Sequence, residues 1–367
     1  MKILGVVTLV SPLGEYGGPT RVAINQLLSL RARGHQVVLA GTQRGFDGHV
    51  PTEIEGVPAK LFPARTLLPG SGFAGLGSPE LWMAVHRHAR EFDVVHVHAA
   101  RDLVTLPSAL IALRRRVPVV VQTHGMIDET THPLAVPLDL ALTRPVLNRA
   151  RLVAYLTARE RASLEVVSRG GARLEELRNG VPLEAPAVAA GLTGILYLAR
   201  LAPRKHPVAF VEAAARIAPE FPEADFALVG PDEGEGASVR GAIASSGLGD
   251  RIRWEGPVDM SGAVERMRRA TVYVLPSVDE PYPMSVLEAM SVGLPVVITE
   301  TCGLAPFVRD HGAGIVTDGT VDGLADALRT LLTDPALAAA TGARGRDAVR
   351  SECNMAAIAE RLESFYG

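Results

Sequence analysis

Two series of short apolar segments alternate with helical patterns along this chain, and this alternation limits the possible folds more than any other feature. In the first half the apolar segments are residues 3–10, 36–40, 94–98, 117–122 and 152–156. In the second half they are residues 194–199, 225–229, 251–254, 271–275 and 295–299. Strands that are apolar along their whole length and separated by helices are typical of parallel sheets covered on both faces. We therefore predict an α/β fold of two doubly wound, Rossmann-like domains that face each other across a cleft.

The length of 367 residues also favours two domains, because single cores stop growing at about 250–300 residues. The predicted N-terminal domain covers residues 1–180, and the predicted C-terminal domain covers residues 193–350. Residues 181–192 are predicted as a linker, since most of this stretch shows no periodic pattern. Residues 351–367 are predicted as a C-terminal helix, with the option of packing back on the N-terminal domain.

Composition excludes several classes of function. A net charge of −3 gives no electrostatic basis for nucleic-acid binding. The two cysteines, Cys302 and Cys353, are too few for a disulfide framework and match no metal-site spacing, so a reducing, cytoplasmic location is expected. Residues 1–10 lack the basic region of a signal peptide and are predicted as the first strand. No segment approaches the roughly 18 apolar residues that span a bilayer.

Two glutamates eight positions apart, Glu280 and Glu288, follow the predicted strand over residues 271–275. Residues 284–292 have a helical pattern that ends at Gly293. Glu280 is therefore expected on a loop at the carboxyl end of a strand, and Glu288 about one turn into the next helix. Such a place suits a polyhydroxylated, phosphorylated ligand, because carboxylates accept from sugar hydroxyls and helix N-termini bind phosphate. The alternative is a solvated loop charge and a surface helix residue.

Two cations, Arg200 and Lys205, lie on the loop that follows the predicted strand over residues 194–199. Pro207 suits the first position of the next helix. This loop shares a sheet edge with Glu280, because both follow the carboxyl ends of strands in one parallel sheet. Ligands of open parallel sheets bind at this edge. A guanidinium, an ammonium and a helix N-terminus together neutralise a diphosphate. The alternative is a solvated basic loop.

Two loops of the first half carry weaker signals. Gly17 and Gly18 precede a predicted helix, where glycines let the backbone approach a phosphate closely. His124 and Gly125 follow the predicted strand over residues 117–122, and the histidine can present its ring and backbone into the cleft. The alternative for His124 is a capped turn with an exposed imidazole.

Other polar groups are interpreted as structural. His96 and His98 share one face of a strand, but no third or fourth ligand has metal-site spacing, so we expect strand-end residues with local hydrogen bonds. The three arginines at 114–116 are predicted as a solvated helix end, and residues 232–235 as an exposed loop without calcium-site spacing. The chain contains no Gly-x-Ser-x-Gly nucleophile elbow and no Gly-Lys-Ser/Thr phosphate loop.

These features resemble the retaining glycosyltransferases of family 4 (glycosyl transferases group 1), which have the GT-B fold. The resemblance covers essentially the whole chain. It rests, in order, on Gly17-Gly18, His124-Gly125, Asn179-Gly180-Val181 at the hinge, Arg200 with Lys205, and the pair of Glu280 and Glu288. The last two motifs in combination are specific, whereas the glycine pair and the His-Gly are supportive. The resemblance implies that the N-terminal domain is on the acceptor side and that the C-terminal domain binds the donor.

The implied activity is transfer of a hexosyl-type sugar from a nucleotide sugar to an acceptor hydroxyl, with retention of anomeric configuration. Arg200 and Lys205 are implied to bind the donor diphosphate and to stabilise its charge as the glycosidic bond breaks. Glu288 is implied to bind the ribose hydroxyls. Glu280 is implied to hold hydroxyls of the transferred sugar, together with backbone N–H groups of a short segment. That segment consists of Tyr282, Pro283, Met284 and Ser285.

Further contacts are implied by the same resemblance. His124 would lie near the sugar and the acceptor, Gly17 and Gly18 would close over the phosphates, and the base would lie against the loop of Gly256. The expected partners are a nucleotide-diphosphate sugar and a hydroxyl-bearing acceptor, which is a glycan, a lipid-linked molecule or a small molecule. Neither a metal nor another cofactor is expected, because side chains and a helix dipole handle the charge. No transmembrane segment is expected, and peripheral membrane contact remains an option.

The implied mechanism is front-face attack, in which the departing phosphate takes the acceptor's proton. Glu280 is assigned to sugar hydroxyls, and no other carboxylate is an obvious nucleophile of the kind used by retaining glycosidases. Loops at residues 70–77 and 128–137 are candidates for acceptor contact or for mobile cover.

Two residues depart from the pattern of many relatives, which have glycine at the positions of Pro283 and His206. Proline removes an N–H that would otherwise bind sugar. Two other functions therefore stay open: a non-catalytic nucleotide-sugar-binding partner of a synthase and, with less support, a nucleotide-sugar 2-epimerase. The base, the sugar, the acceptor and the linkage are left open as well.

Overall fold

A computed structural model describes residues 1–12, 17–46, 48–130, 132, 135–183, 185–186 and 194–367. The chain folds as two compact units, of which the first comprises Met1–Gly180 and Met355–Gly367 and the second Val181–Asn354. Much of the predicted linker, residues 184 and 187–192, lies outside the described residues.

The first unit is built on one mainly parallel sheet and a small antiparallel pair. Its strands are β1 (Lys2–Val10), β2 (Gln36–Gln43), β3 (Glu53–Ile54), β4 (Val57–Pro63), β5 (Arg65–Thr66), β6 (Leu76–Gly77), β7 (Val94–His98), β8 (Val119–Gln122), β9 (Leu152–Tyr155) and β10 (Leu174–Glu176). Its sheet order is β10-β9-β8-β7-β1-β2-β4-β3, and only β3 and β4 pair antiparallel within it. β1 therefore lies at the centre, where Ile3 pairs with Val37 on one side and Val94 on the other.

Helices cover the first sheet. They are α1 (Gly17–Ala32), α2 (Pro79–His88), α3 (Thr105–Arg114), α4 (Ala135–Leu138), α5 (Arg144–Arg149) and α6 (Ala158–Ser168). Between α4 and α5 the chain forms a π-helical segment, Asp139–Thr143, and shorter 3₁₀ turns lie at Gly72–Gly75 and Ala89–Glu91.

The second unit has the strand order of a dinucleotide-binding fold. Its strands are β11 (Gly194–Leu198), β12 (Asp225–Val229), β13 (Ile252–Trp254), β14 (Val272–Leu275), β15 (Val296–Thr299) and β16 (Gly314–Thr317). The order β13-β12-β11-β14-β15-β16 is parallel throughout, and the direction of winding reverses between β11 and β14. In open α/β sheets ligands bind beyond the carboxyl ends of the strands at this reversal.

The helices of the second unit complete its two faces. They are α7 (Pro207–Ile217), α8 (Gly236–Ser246), α9 (Met260–Arg268), α10 (Met284–Ser291), α11 (Ala305–His311), α12 (Val321–Thr333) and α13 (Pro335–Glu352). Successive residues of β14 pack in different hydrophobic clusters: Tyr273 packs in a cluster with Leu287, whereas Val274 packs in a cluster with Phe210. Because successive strand side chains point to opposite faces, both faces of this sheet are buried.

The last helix, α14 (Met355–Tyr366), belongs to the first unit. Its buried residues Leu362 and Phe365 join the cluster that contains Ile3 and Leu27. Arg33, directly after α1, donates to Glu363 through two nitrogens, at 2.8 and 2.7 Å. This helix therefore completes one face of the first sheet.

Six strands are one or two residues shorter than predicted, and two of them begin directly after a proline. The strand expected over residues 117–122 begins at Val119, and the strand expected over residues 295–299 begins at Val296. In both cases the preceding residue is a proline, Pro118 or Pro295, which has no N–H to donate to a sheet ladder.

Candidate functional site

Two loops meet at the carboxyl edge of the second sheet, at the reversal between β11 and β14. The first contains the 3₁₀ turn Pro203–Lys205 before α7, and the second precedes α10. The N–H of Val278 donates to the carbonyl of Arg204 at 2.9 Å and ties the loops together. His206, with φ of 47°, makes the left-handed bend from which α7 begins.

A buried ion pair lies between these loops. Nζ of Lys205 is 2.7 Å from Oε2 of Glu280, and the two side chains are only 11% and 10% exposed. Nη2 of Arg204 lies 3.5 Å from the same carboxylate oxygen. Burial lowers the pKa of Lys205 from its ordinary value, and the charge of Glu280 opposes this effect. The structure thus brings Lys205 and Glu280 together, and Glu280 is not the solvated loop charge of the alternative interpretation.

Arg200 lies at the same edge but pairs with a different carboxylate. Its Nη1 is 2.6 and 2.8 Å from the two carboxylate oxygens of Glu233, in the loop after β12. Asp232 shapes that loop by accepting from the N–H groups of Gly234 and Gly236, at 2.9 and 2.8 Å. The loop is exposed, and Glu233 was not predicted from the sequence to be the counter-ion of Arg200.

The helix α10 begins four residues after Glu280. Pro283 precedes the first helical residue, and Met284 and Ser285 form the first turn. The first N–H groups of any helix lack an acceptor within the helix, so this turn points donors outward. The hydroxyl of Tyr273 donates to the carbonyl of Leu198 at 3.0 Å and lies 2.7 Å from Oγ of Ser285. This contact links the end of β11 to the start of α10.

Glu288 is the fifth residue of α10 and is buried, with 6% of its surface exposed. The alternative interpretation of a surface helix residue is therefore wrong. The reason is that all residues of α10 from Val286 to Ser291 are buried, so this part of the helix has no solvated face. A buried carboxylate is retained only with polar partners, so the position is consistent with a binding role.

The loop of Gly256, which is predicted to hold the base, is hydrogen-bonded to the residue that follows the neighbouring strand β12. Gly256 follows β13 with φ of 81°, a conformation that favours glycine. The N–H of Gly230 donates to the Gly256 carbonyl at 2.9 Å, and Nε1 of Trp254 donates to the Gly230 carbonyl at 2.9 Å. Hydrogen bonds therefore join the loop after β12 to the end of β13 and to the loop that follows it.

In the first unit, Gly17 begins α1, and the residues before it, 13–16, lie outside the described residues. Among the described residues, no atom lies within 4 Å of the place that a Cβ on Gly18 would occupy. Packing against this part of the chain therefore does not explain the glycine, and a close approach by a ligand stays a prediction.

His124 and Gly125 form a tight turn after β8. Both have positive φ, 53° and 71°, and the N–H of Met126 donates to the carbonyl of Thr123 at 2.9 Å. Positive φ at both central residues is the pattern of a type I′ turn. His124 is 9% exposed, so the alternative of an exposed imidazole is wrong.

A buried carboxylate that the sequence interpretation missed holds this turn. Glu160 of α6 accepts from Oγ1 of Thr123 and from the N–H of Gly125, both at 2.5 Å, and from the N–H of Leu156 at 2.7 Å. Burial raises the pKa of Glu160, and these hydrogen bonds oppose the shift. The signature Thr157-x-x-Glu160 is that of a capping box, and Oγ1 of Thr157 accepts from the Glu160 N–H. That signal marks the helix start but not the carboxylate's contact with Gly125.

The interpretation of His96 and His98 needs correction. Their hydrogen bonds are long-range rather than local: Nδ1 of His96 lies 2.7 Å from the hydroxyl of Tyr366, and Nδ1 of His98 lies 2.8 Å from Nε2 of His124. The reason is that both side chains are buried beneath elements that are distant in sequence. Burial lowers the pKa of His96 and of His124 to about 3.

Asp102 was also missed. It is fully buried in the loop after β7 and accepts from Oγ1 of Thr8, from the N–H of Val104 and from the N–H of Thr105, at 2.5, 2.9 and 2.6 Å. It thereby joins the carboxyl ends of β1 and β7 and caps α3. Burial raises its pKa, which these donors oppose.

Of the two loops named as candidates for acceptor contact, the first, residues 70–77, contains β6, which pairs antiparallel with β5. The N–H of Leu67 donates to the carbonyl of Gly75 at 2.8 Å. In the second, Asp128 pairs with Arg101, and residues 131, 133 and 134 lie outside the described residues.

In the parts of the chain that the structure describes, no group of three or more metal-binding side chains is arranged to hold an ion.

Several solved structures have this architecture, and one of them is WaaG, a glycosyltransferase involved in lipopolysaccharide biosynthesis. Sucrose-phosphate synthase from Thermosynechococcus elongatus matches 100% of this chain and 98% of its own, with a TM-score of 0.77 and 23% identity. Anabaena HepE in complex with UDP and glucose matches 99% of this chain and 98% of its own, with a TM-score of 0.78 and 19% identity. The fold class is therefore that of the GT-B glycosyltransferases, as predicted.

The sequence comparisons define the family. Residues 17–180 match the description "Glycosyl transferase 4-like domain", and residues 188–348 match "Glycosyl transferases group 1". The chain is 30% identical over 296 residues to D-inositol 3-phosphate glycosyltransferase of Kineococcus radiotolerans, covering 70% of this chain and 68% of that protein. It is 28% identical over 340 residues to phosphatidyl-myo-inositol mannosyltransferase of Mycobacterium leprae, covering 88% and 85%. The chain belongs to the glycosyl transferases group 1, and the predicted family is confirmed.

Within the described parts of the chain, none of the helices combines the length and the apolar character that crossing a bilayer requires.

Proposed function

We propose that this glycosyltransferase moves a sugar from a nucleoside diphosphate sugar to an acceptor hydroxyl with retention of anomeric configuration. The observation that carries the proposal is the buried pair of Lys205 and Glu280 beside the first turn of α10, at the winding reversal of the second sheet. This edge combines a cation, a carboxylate and outward-pointing backbone N–H groups, which are the groups that a phosphorylated sugar requires.

Lys205 is proposed to bind the diphosphate while it stays paired with Glu280. An ammonium has three N–H donors, and Glu280 accepts one of them at 2.7 Å. Two donors remain for phosphate oxygens, and Glu280 fixes their direction. Because the pair is buried, its field is less screened by water than that of a surface charge.

Arg200 is proposed as the second diphosphate ligand. Its pair with Glu233 lies at the surface, with 38% and 36% of the side chains exposed. Exposed pairs contribute only about 0–1 kcal/mol, so a diphosphate with greater charge displaces Glu233 readily. The planar guanidinium then binds two phosphate oxygens.

The remaining donor contacts are proposed from the resemblance to the family. Glu288 is proposed to accept from the ribose hydroxyls, and Glu280 from hydroxyls of the transferred sugar. The N–H groups of Met284 and Ser285 add donors, whereas Pro283 has none. Gly256 is proposed to lie against the base. In the first unit we propose that His124 contacts the transferred sugar and the acceptor and that the backbone of Gly17 and Gly18 approaches the phosphates.

The proposed reaction breaks the bond between the anomeric carbon and the diphosphate oxygen and forms a bond to the acceptor oxygen on the same face. The acceptor's proton passes to the departing diphosphate, so the products are the glycoside and the nucleoside diphosphate. Lys205 and Arg200 stabilise the charge that develops on the leaving group, and loss of one such donor typically costs about 2.7–4 kcal/mol. We propose that no metal is required, since these cations supply the charge.

A direct test measures thermal shift and donor hydrolysis against UDP-, GDP-, ADP- and dTDP-sugars. Wild type is compared with Glu288→Gln and with the control Glu212→Gln, an exposed glutamate on α7. We expect sugars of one nucleotide class to stabilise wild type and the control and to be hydrolysed by both proteins. Both responses should weaken in Glu288→Gln.

A chelator should leave turnover intact. Loss of turnover that one ion restores would overturn the proposal that no metal is required.

The acceptor is then sought with the responsive donor. Because two relatives are named for inositol phosphate and phosphatidylinositol acceptors, D-inositol 3-phosphate and phosphatidylinositol vesicles are the first candidates. An α-linked product from an α-linked donor supports retention, and a β-linked product contradicts it. Binding without hydrolysis or transfer would favour the non-catalytic partner of a synthase.

A further inference from the structure

His124 is one end of a row of buried imidazoles. His96 and His98 lie on the same face of β7, with their ring centroids 4.6 Å apart. His98 then contacts His124, with ring centroids 5.1 Å apart and ring planes within 11° of parallel. The row begins at Tyr366 of α14 and ends at the turn after β8.

The contact between His98 and His124 is a hydrogen bond between two ring nitrogens, Nδ1 and Nε2, at 2.8 Å. One ring must donate and the other must accept, because two N–H groups facing each other would repel and two bare nitrogens would form no bond. A neutral imidazole carries its single proton on one nitrogen only. The tautomer of His124 is therefore coupled to that of His98.

The surroundings keep both rings neutral. His98 and His124 are buried, and the pKa of each is lowered, first by burial and then by neighbouring imidazoles. No carboxylate among the described residues hydrogen-bonds to either ring. A proton added to the pair would therefore be both poorly solvated and repelled.

The backbone of His124 is fixed independently of its ring. Glu160 accepts from Gly125 and Thr123, which hold the turn with φ of 53° at His124. The turn sets where Cα lies but leaves rotation about the side-chain bonds. His98 supplies the contact that sets the direction of the ring.

We propose that His98 is a positioning residue for His124: it fixes the ring orientation and selects a single neutral tautomer, so that Nδ1 of His124 is presented to a hydroxyl of the sugar or acceptor. Nδ1 has no hydrogen-bond partner among the described residues, whereas Nε2 is taken by His98. This inference rests on the proposed function of His124. It adds a residue on β7 that does not itself touch the substrate.

The test compares two substitutions on one strand. His98→Leu removes the contact with His124, and His96→Leu is the matched control, buried on the same face but bonded to Tyr366. We expect kcat to fall by about 10²-fold in His98→Leu, the size of a small misplacement at a reacting centre, while the donor Kd is unchanged. His98→Asn keeps a polar atom at the place of Nδ1 and should restore most of the activity. His96→Leu should retain kcat.

Ring-nitrogen ¹⁵N spectra provide a readout that a merely structural role would not change. Wild type and His96→Leu should show one neutral tautomer of His124, and His98→Leu should show the averaged shifts of two. Equal losses of kcat in both leucine variants, or an unchanged His124 spectrum in His98→Leu, would overturn the inference.

A His124→Ala variant separates this inference from the proposed function. If His124→Ala keeps full turnover, the role of His124 in the proposed function is wrong, and the positioning inference fails with it. If His124→Ala loses turnover while His98→Leu keeps it, only the positioning inference is wrong.

Discussion

The carboxyl edges of the two sheets hold their polar groups in opposite ways. The edge of the second unit carries full charges that are neutralised by counter-ions, Lys205 by Glu280 and Arg200 by Glu233. The edge of the first unit carries His98 and His124 as neutral rings, held by hydrogen bonds. The described edge of the second unit is thus held mainly by charge pairs, whereas the part of the first edge around His124 is held by hydrogen bonds between neutral rings.

This difference matches the two demands of the proposed reaction. A departing diphosphate needs positive charge that is oriented before reaction. An attacking hydroxyl needs placement more than charge. Substitutions at the two edges should therefore impair activity in different ways: through lost charge at the edge of the second unit and through lost placement at the edge of the first unit.

The largest effect is expected for Lys205→Ala. It leaves the buried carboxylate of Glu280 with only the longer, 3.5 Å contact to Arg204 that the structure describes, so the loss of stability should be at most the about 3–5 kcal/mol of a fully broken buried pair. It also removes a proposed diphosphate ligand, so donor hydrolysis should fall by about 10²–10³-fold. Urea unfolding and hydrolysis assays measure the two effects.

A double variant separates stability from chemistry at this edge. Lys205→Met with Glu280→Gln replaces both charges by groups of similar size, so stability should return toward that of wild type. Turnover should stay low. Recovery of turnover in the double variant would show that the edge does not act through charge.

At the first edge, Glu160→Ala should act through geometry. Removing its carboxylate leaves the N–H groups of Gly125 and Leu156 without their acceptor, at about 1–3 kcal/mol for each buried group. We expect lower stability and lower kcat with an unchanged donor Kd, measured by urea unfolding, kinetics and calorimetry. The control is Glu165→Ala on the exposed side of the same helix. A weakened donor Kd in Glu160→Ala would contradict the assignment of this edge to placement.

The neutral imidazoles predict a pH dependence of stability. The pKa of His96 is about 3 in the folded protein and has its ordinary value of 6.5 when unfolded, so only the unfolded chain binds this proton between those values. Stability should therefore fall as pH falls below 6.5, by up to about 1.4 kcal/mol per pH unit for one histidine. The raised pKa values of Asp102 and Glu160 act in the opposite direction.

The contribution of His96 is isolated by subtraction. The unfolding free energy of wild type minus that of His96→Phe, measured by urea between pH 7 and pH 5, cancels the carboxylates. We expect this difference to decrease on acidification. A difference that is independent of pH would mean that His96 is not kept neutral by burial.

The smallest effect is expected for Glu233→Gln. It frees Arg200 from an exposed pair worth about 0–1 kcal/mol, so stability should hardly change. Nucleoside diphosphate should bind several-fold more tightly, by about the energy of that pair, and the gain should shrink at high salt. Weaker binding, measured by calorimetry, would show that Glu233 helps to hold the ligand.

Much of the fold followed from the sequence because its strands are apolar along their whole length. The strands Val94–His98 and Asp225–Val229 have the predicted bounds. β4 was missed, since its sequence Val-Pro-Ala-Lys-Leu-Phe-Pro contains two prolines and lies toward the sheet edge. β16 was missed because Gly314–Thr317 is too short for a periodic signal.

The candidate site was predictable where its residues follow strands of one sheet. Topology alone places Lys205 and Glu280 at one edge, because both follow strands beside the winding reversal. The contacts of Glu160 with Gly125 and of His98 with His124 were not predictable, since they join residues 35 and 26 positions apart through tertiary packing. The pairing of Arg200 with Glu233 was missed for the same reason. The roles assigned to the site residues remain predictions.

The return of α14 to the first unit affects the order in which the chain can fold during synthesis. Leu362 and Phe365 complete the cluster around Ile3 and Leu27, but the ribosome makes them only after all of Val181–Asn354. Until then the nascent first unit exposes an apolar groove beside α1, and such surfaces favour aggregation and chaperone binding. The second unit, which is continuous in sequence, can finish folding first although it is translated later.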